Sequence, residues 1–403
     1  MRVSTNQFQQ TSTNSILDQQ SKLLKTQQQL ATGRKILTPS DDPAGAARVL
    51  DLEKSIGQVE QFNRNLDRAE FALKTEESVL EETGNIIQRV RELTVQSLNA
   101  TQDGANRKII AAEIRQLQDQ LVQLANTQDG TGEFIFAGSN TRTRPFALGD
   151  GDVNYTGDQT QRLVQAGPSR QLATNHTGFE TFMRIREGNG EFTTAAAPGN
   201  GGTAVIDGGR ILDRTVAFDG PYTIAFTEQA NGELTYTVSN AGGNLVEDAP
   251  YNRGDAIVFD GREVAISGTP VDGDSFEVAP AGFNSLFGML DDLAAALEAS
   301  GSNETSVDRS RFLNAGNSAL GNLDQALDNI LNIRSEVGAR LNAVDGERRA
   351  NESSLLDLRE AKSNIEDVDY AKAISELNLR QVGLQAAQQS YVRIQGLSLF
   401  NFL

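Results

Sequence analysis

Residues 43–100 read PAGAARVLDLEKSIGQVEQFNRNLDRAEFALKTEESVLEETGNIIQRVRELTVQSLNA. Leu52, Val59, Leu66, Leu73, Leu80 and Ile87 recur every seven residues, and Phe62, Ala69, Thr83 and Val90 form a flanking row interrupted by Glu76. Such spacing puts apolar side chains on one stripe of a helix that packs against other helices. Asp42 supplies an N-cap, and Pro43 takes the first helical position, where its missing N–H costs nothing. At the standard rise, a helix from Ala44 to Ala100 is about 85 Å long. No single small globule buries such a rod, so it needs partner helices.

Outward from this rod the pattern changes in both directions. Upstream, Ile16, Leu23, Leu30 and Leu37 repeat the seven-residue spacing until Gly33 and Thr38-Pro39-Ser40-Asp41-Asp42-Pro43 interrupt it. Downstream, Thr101-Gln102-Asp103-Gly104 breaks the rod, and Ile110, Ile114, Leu117, Leu121 and Leu124 describe a shorter helix that folds back. From Glu133 to about Gly282 the segments turn short and alternating, as in Tyr222–Phe226 and Leu234–Val238. Asp219-Gly220, Asn231-Gly232, Asp260-Gly261 and Asp272-Gly273 separate them, which reads as antiparallel strands and hairpins. The low-complexity stretch Ala195–Gly202 is expected to be a mobile loop.

Helix resumes with Phe283, Leu286, Leu290, Leu293 and Leu297 and pauses at Ser300-Gly301-Ser302. Two strong rows follow: Leu313, Leu320, Leu327 and Leu341 in one, Leu323, Ile330, Val337 and Val344 in the other, with Arg334 as a polar intruder. The spacing weakens through Leu355, Leu358 and Ile365. After Asp367-Val368-Asp369-Tyr370 a last amphipathic helix runs through Ile374, Leu377, Leu384, Tyr391 and Ile394 to a tail containing Phe400 and Phe402. The expected fold is mainly α with an inserted β domain. Long N- and C-terminal helices pair in a coiled-coil-like bundle, and the central antiparallel β domain lies at its far end. A homo-oligomeric coiled coil is the alternative source of partners for the rods.

Composition narrows the function. The 403 residues carry a formal net charge of −18 at a sequence pI of about 4.6, which disfavours a nucleic-acid binder that must neutralise phosphates. No apolar run reaches the ~20 residues needed to cross a bilayer, so no membrane insertion is expected. No cleavable signal is visible at the polar N-terminus. Cysteine is absent, so there are no disulfides or thiolate metal sites. The acid excess sits in the middle of the chain. Residues 1–40 carry Arg2, Lys22, Lys25, Arg34 and Lys35 against Asp18 alone, and both ends are rich in glutamine instead of charge. An exposed amphipathic helix normally keeps a charged outer face, so these terminal helices look built to be covered by other chains; fraying tails are the bland alternative. Their apolar positions, Ile16, Leu23, Leu30, Leu37, Leu377, Leu384, Tyr391, Ile394, Phe400 and Phe402, are the candidate assembly interface.

Catalytic chemistry finds no footing. His176, the only histidine, sits in the turn-like run Ala173–Gly178 and is expected to be solvent-exposed. One histidine without cysteine makes neither a familiar zinc site nor a nucleophilic triad. Asp150-Gly151-Asp152-Val153-Asn154 alternates like a calcium loop but has Tyr155 and Gln161 where glycine and glutamate belong. No phosphate-binding glycine motif appears. No cofactor and no enzymatic activity are expected.

Several stretches carry a resemblance. Leu23–Gln27, Ala31-Thr32-Gly33-Arg34-Lys35-Ile36, Ser40–Gly45 and Gln88–Leu93 resemble the flagellin family. Phe134-Ile135-Phe136-Ala137-Gly138, Ile365–Asn378 and Ser390–Asn401 resemble the hook–filament junction branch of that family more than filament flagellin. The resemblance implies an inner domain of paired terminal helices (1–40 with 369–403), a helical rod domain (41–131 with 283–368) and a surface β domain (132–282). It also implies a ring formed with copies of itself and export through the flagellar type III apparatus without signal cleavage. The implied partners are the first hook-associated protein, flagellin, the filament cap and an export chaperone. Gln88–Leu93 is similar to the part of flagellin that an innate immune receptor reads, with Arg89 and Leu93 at the matching positions; packing of the rod explains the same residues. A filament flagellin and a coiled-coil surface adhesin or adaptor are the competing readings.

Overall fold

The computed structural model describes residues 5–149, 153–299 and 305–396. Six α-helices frame it: α1 (Thr5–Thr32), α2 (Pro43–Leu98), α3 (Gly104–Ala125), α4 (Leu286–Ala299), α5 (Ser306–Glu366) and α6 (Tyr370–Gly396). By contact the chain divides into two compact units, Leu66–Asp345 and Met1–Asn65 with Gly346–Leu403.

In the larger unit, Leu66, Leu73, Leu80 and Ile87 of α2 are buried together with Leu323, Ile330, Val337 and Val344 of α5. The other α5 row, with Leu320, Leu327 and Leu341, is only half-buried. The helices run antiparallel, as the pairs Arg334–Glu77 at 2.7 Å and Arg91–Asp324 at 2.7 Å require. Arg334, the polar intruder of its row, thus has a carboxylate partner. Asp103 caps α3 by accepting from the Asn106 N–H at 2.8 Å, and the reversed helix returns along α2, where Arg89 meets Glu113 at 2.7 Å. Arg115 of α3 holds α4 through Asp291 and Glu298 at 2.8 and 2.7 Å.

The β-rich region contains a five-stranded antiparallel sheet in the order Gly243–Pro250, Leu234–Asn240, Tyr222–Glu228, Ser275–Pro280, Phe192–Ala196. A second sheet joins Ala256–Phe259, Arg262–Ser267 and Val205–Ile206. Asp260 and Gly261 both take positive φ in the tight turn between its first two strands, as a two-residue hairpin requires. Alternate side chains from both sheets, among them Ile224, Phe226, Phe276, Val264 and Ile266, form a separate core. Burying each contributes about 1.5–3 kcal/mol. A polar stripe on α5 grips this region's backbone: Asn314, Asn322 and Asn329 bond Ile206 N–H (2.9 Å), Gly188 N–H (2.8 Å) and Thr181 C=O (3.1 Å).

Two local expectations are corrected. Ala195–Gly202 is not a free loop, because Ala195 and Ala196 extend a strand paired with Ser275–Pro280. Asn200 then exchanges side-chain bonds with the Ser275 backbone, and Asp274 accepts from Gly201 N–H at 2.8 Å. Gly202 packs directly on Asp274 and the Thr269–Pro270 backbone, leaving no room for a Cβ. Phe283 lies in the short strand Phe283–Asn284 paired with Ile185–Arg186, and the helix begins at Leu286, capped by Ser285 accepting from Gly288 N–H at 2.8 Å.

In the smaller unit α1 packs on α6, and the outer parts of α2 and α5 pair antiparallel through Lys362–Glu53 at 2.6 Å and Arg359–Glu60 at 2.9 Å. Among the described residues its buried apolar side chains are few: Val59, Phe62, Leu355 and Ala373.

Candidate assembly interface

Helix α1 stops at Thr32, just before Gly33, and helix α6 starts at Tyr370. Asp369 caps α6, accepting from Lys372 N–H at 3.1 Å. Arg380 donates to the Lys22 carbonyl at 2.8 Å, binding one helix to the other. Thr26 and Ala373 are buried between their neighbours. The structure places Ile16, Leu23, Leu30 and Leu37, and Leu377, Leu384 and Tyr391, at half-buried positions. The Ile394 side chain and Phe400 and Phe402 lie outside the described residues. Adjacent apolar residues are more open still: Leu17, Leu24, Ile374, Val382 and Val392 are exposed, and Leu379 is 72% exposed. Two helices cover one stripe of each other; the rest of an apolar surface needs further partners.

The stretches that stand out in the sequence meet at a joint in this unit. The Gly33 carbonyl accepts from Val368 N–H at 2.9 Å, and Lys35 N–H donates to the Glu366 carbonyl at 2.6 Å. Arg34 reaches the Glu366 carboxylate at 3.0 Å. Gly33 has φ +73°, a left-handed backbone that favours glycine, and a Cβ there would stand 3.0 Å from the Tyr370 hydroxyl. Asp41 accepts from the Leu37 and Thr38 N–H groups, each at 3.1 Å, and pairs with Lys25 at 2.5 Å. That lysine holds the Asp41 carboxyl below its ordinary value. Asp42 caps α2, accepting from Gly45 N–H at 2.9 Å. The break between α1 and α2 is thereby tied to the break between α5 and α6.

A second such stretch, Phe134–Gly138, ends against Asp158. The Asp158 carboxylate accepts from Ser139 N–H at 2.9 Å, Thr160 N–H at 2.8 Å and the Ser139 hydroxyl. These bonds, the Ser139 hydroxyl first, lower its pKa to about 2. Gly138, at φ +70°, packs directly on Asp158, leaving no room for a Cβ. Of the Gln88–Leu93 segment, Leu93 is buried in the core of the larger unit, and Arg89 is exposed but engaged by Glu113 and Glu92.

The expectation for His176 is overturned: it is 3% exposed. Its Nδ1 lies 2.8 Å from Glu76 Oε1, and its Nε2 lies 3.1 Å from Glu336 Oε2. Glu76, the exception in its apolar row, is buried as well. A lone histidine and one misplaced acid were the available signals; nothing local links residues a hundred positions apart. The asparagine stripe of α5 was missed too, although its spacing of eight and seven is that of a second helical face.

Asp150-Gly151-Asp152 lies outside the described residues. Among the described residues no three histidine or acidic side chains gather to hold a metal, and no helix is long and apolar enough to cross a membrane.

Comparison with known proteins fits this geometry. Residues 3–141 match the bacterial flagellin N-terminal helical region and residues 320–403 the C-terminal helical region. Flagellar hook-associated protein 3 of Escherichia coli (strain K12) is 26% identical over 400 residues, 99% of each chain. The crystal structure of flagellar hook-associated protein 3 from Legionella pneumophila is 33% identical with a TM-score of 0.75, covering 78% of this chain and 98% of that one. Xanthomonas campestris FlgL, in one crystal form, is 31% identical with a TM-score of 0.71, covering 77% and 99%. The chain belongs to the bacterial flagellin family, in its hook-associated protein 3 branch, and is a structural subunit of the flagellum of the hook–filament junction type.

Proposed function

We propose that the chain forms a thin ring with copies of itself, bound on one side to the first hook-associated protein and on the other to flagellin or the filament cap. The observation that carries this reading is the open apolar surface of α1 and α6, from Leu17 and Leu24 to Leu379, Val382 and Val392. In the ring, Ile16, Leu23, Leu30, Leu37, Leu377, Leu384, Tyr391, Ile394, Phe400 and Phe402 are the contact set. Residues 1–40 with 369–403 serve as the inner domain, 41–131 with 283–368 as the rod, and 132–282 as the surface domain. Few charges on the inner helices fit a crowded interior, where an unpaired buried charge is costly.

The same apolar surface needs shielding before assembly, which supports a cytoplasmic chaperone on the C-terminal segment and export through the flagellar type III apparatus. No catalytic step belongs to this role.

Immunogold labelling in the organism of origin tests the reading. A single spot at the hook–filament boundary is expected. Label along the whole filament would identify a filament flagellin, and label away from the flagellum an adhesin. In solution the purified chain should form no long filaments even when seeded, and cells lacking it should build hooks while leaking flagellin into the medium.

A further inference from the structure

His176 is the only histidine of the chain, and it bridges two helices from a loop of the β-rich region. Glu76 comes from α2, Glu336 from α5. The backbone N–H of His176 also donates to Glu76 Oε1, at 2.9 Å. A neutral imidazole has one N–H and one lone pair, so it donates to one carboxylate and turns a lone pair toward the other. Only the imidazolium donates to both. Glu76 is 1% exposed, and its Oε2 has no hydrogen-bond partner among the described residues. Removing the positive charge would leave a buried carboxylate without its counter-ion, the costly case for buried pairs. The third facing charge is Arg340 of α5, 3.5 Å from Glu336, with its Nη1 donating to the Asn175 carbonyl at 3.1 Å.

We propose that His176 is held as an imidazolium that latches the loop Thr174–Thr177 onto both α2 and α5, making the attachment of the β-rich region to the rod helices sensitive to pH. Burial by itself pulls the imidazole down from its ordinary 6.5. The hydrogen bond and charge of Glu76, joined by the Glu336 hydrogen bond, outweigh burial and the repulsion from Arg340, and the pKa is raised. A raised folded pKa stabilises fully below the unfolded value and is lost as pH rises through the folded one. The latch is therefore closed in mild acid and loosens toward the alkaline side. Glu336 is largely exposed, so it tunes the latch, whereas Glu76 anchors it.

A lone histidine makes the test direct, because one imidazole signal in the NMR spectrum of the full chain reports it. The titration is followed over about pH 5 to 8, in the wild type and in Glu336→Gln, a surface change that leaves the core intact. A midpoint above 6.5, or a ring still protonated at the top of the range, is expected for the wild type, with a lower midpoint in Glu336→Gln. In parallel, the His176 amide should exchange progressively faster, relative to its intrinsic rate, as the ring deprotonates. A midpoint at or below 6.5, a ring neutral throughout, or a midpoint unmoved by Glu336→Gln would overturn the proposal.

Discussion

Leu66, Leu73 and Leu80 of α2 are fully buried, whereas Ile16, Leu23 and Leu30 of α1 share their seven-residue spacing and remain half-buried. The difference lies in what surrounds each row. In the larger unit α3, α4, α5 and the β-rich region contribute to one continuous apolar cluster around α2. In the smaller unit α1 packs chiefly on α6, and a two-helix pair leaves part of each apolar surface open. A heptad row shows that a helix is made to be covered; the number of neighbours decides whether the chain covers it itself. On this account the larger unit is complete in one chain, and the smaller is completed by its neighbours.

The largest effect expected is an all-or-none one. Removing Gly383–Leu403 should leave the thermal transition of the larger unit unchanged and abolish attachment to the hook. A truncated chain that still supports stable filaments on cells would remove α6 from the interface.

Single substitutions then sharpen the contrast. Ile330→Ala, at a fully buried site, should cost about 2–5 kcal/mol in denaturant unfolding. Leu23→Ala, half-buried, should cost the monomer below about 1 kcal/mol, nearer the range for surface changes, yet weaken assembly. Equal losses in the monomer would show that the two rows are packed alike.

How much of this was legible follows the same division. The long helices, the Asp42 cap, the break at Thr101–Gly104 and the Asn231-Gly232 and Asp260-Gly261 turns were readable because their causes are local. Which α5 row is buried was not, since Leu327 and Ile330 look equally apolar and the choice depends on which elements pack around the helix in three dimensions. The partners of Glu76, His176 and Arg334 were hidden for the same reason: each pairing spans a hundred residues or more. On the candidate interface, spacing and the scarcity of charge marked α1 and α6, and the half-buried seam residues sit beside more open ones, Leu17, Leu24 and Leu379 among them, that spacing alone did not single out.

Smaller effects probe local ties, one in each unit. Asp158, with its pKa lowered to about 2, stabilises its turn above its unfolded value near ~3.9 and loses that contribution as pH falls through the folded value. The difference in melting temperature between wild type and Asp158→Asn should be present at mildly acidic pH and vanish toward the folded pKa. A difference independent of pH would mean that packing, not charge, holds the turn. At the weak end, Arg359→Gln breaks an exposed pair with Glu60 and should change stability by at most about 1 kcal/mol, an effect reduced by salt.

The central claim is tested most directly by amide hydrogen exchange on the full chain, as a purified monomer and again seated on hooks. The prediction is slow exchange over 66–98 and 313–344 in both states, with α1 and α6 exchanging fast in the monomer and becoming protected only in the assembly. Strong protection of α1 and α6 in a monomer proven by mass would contradict it, because the smaller unit would then be complete without neighbours.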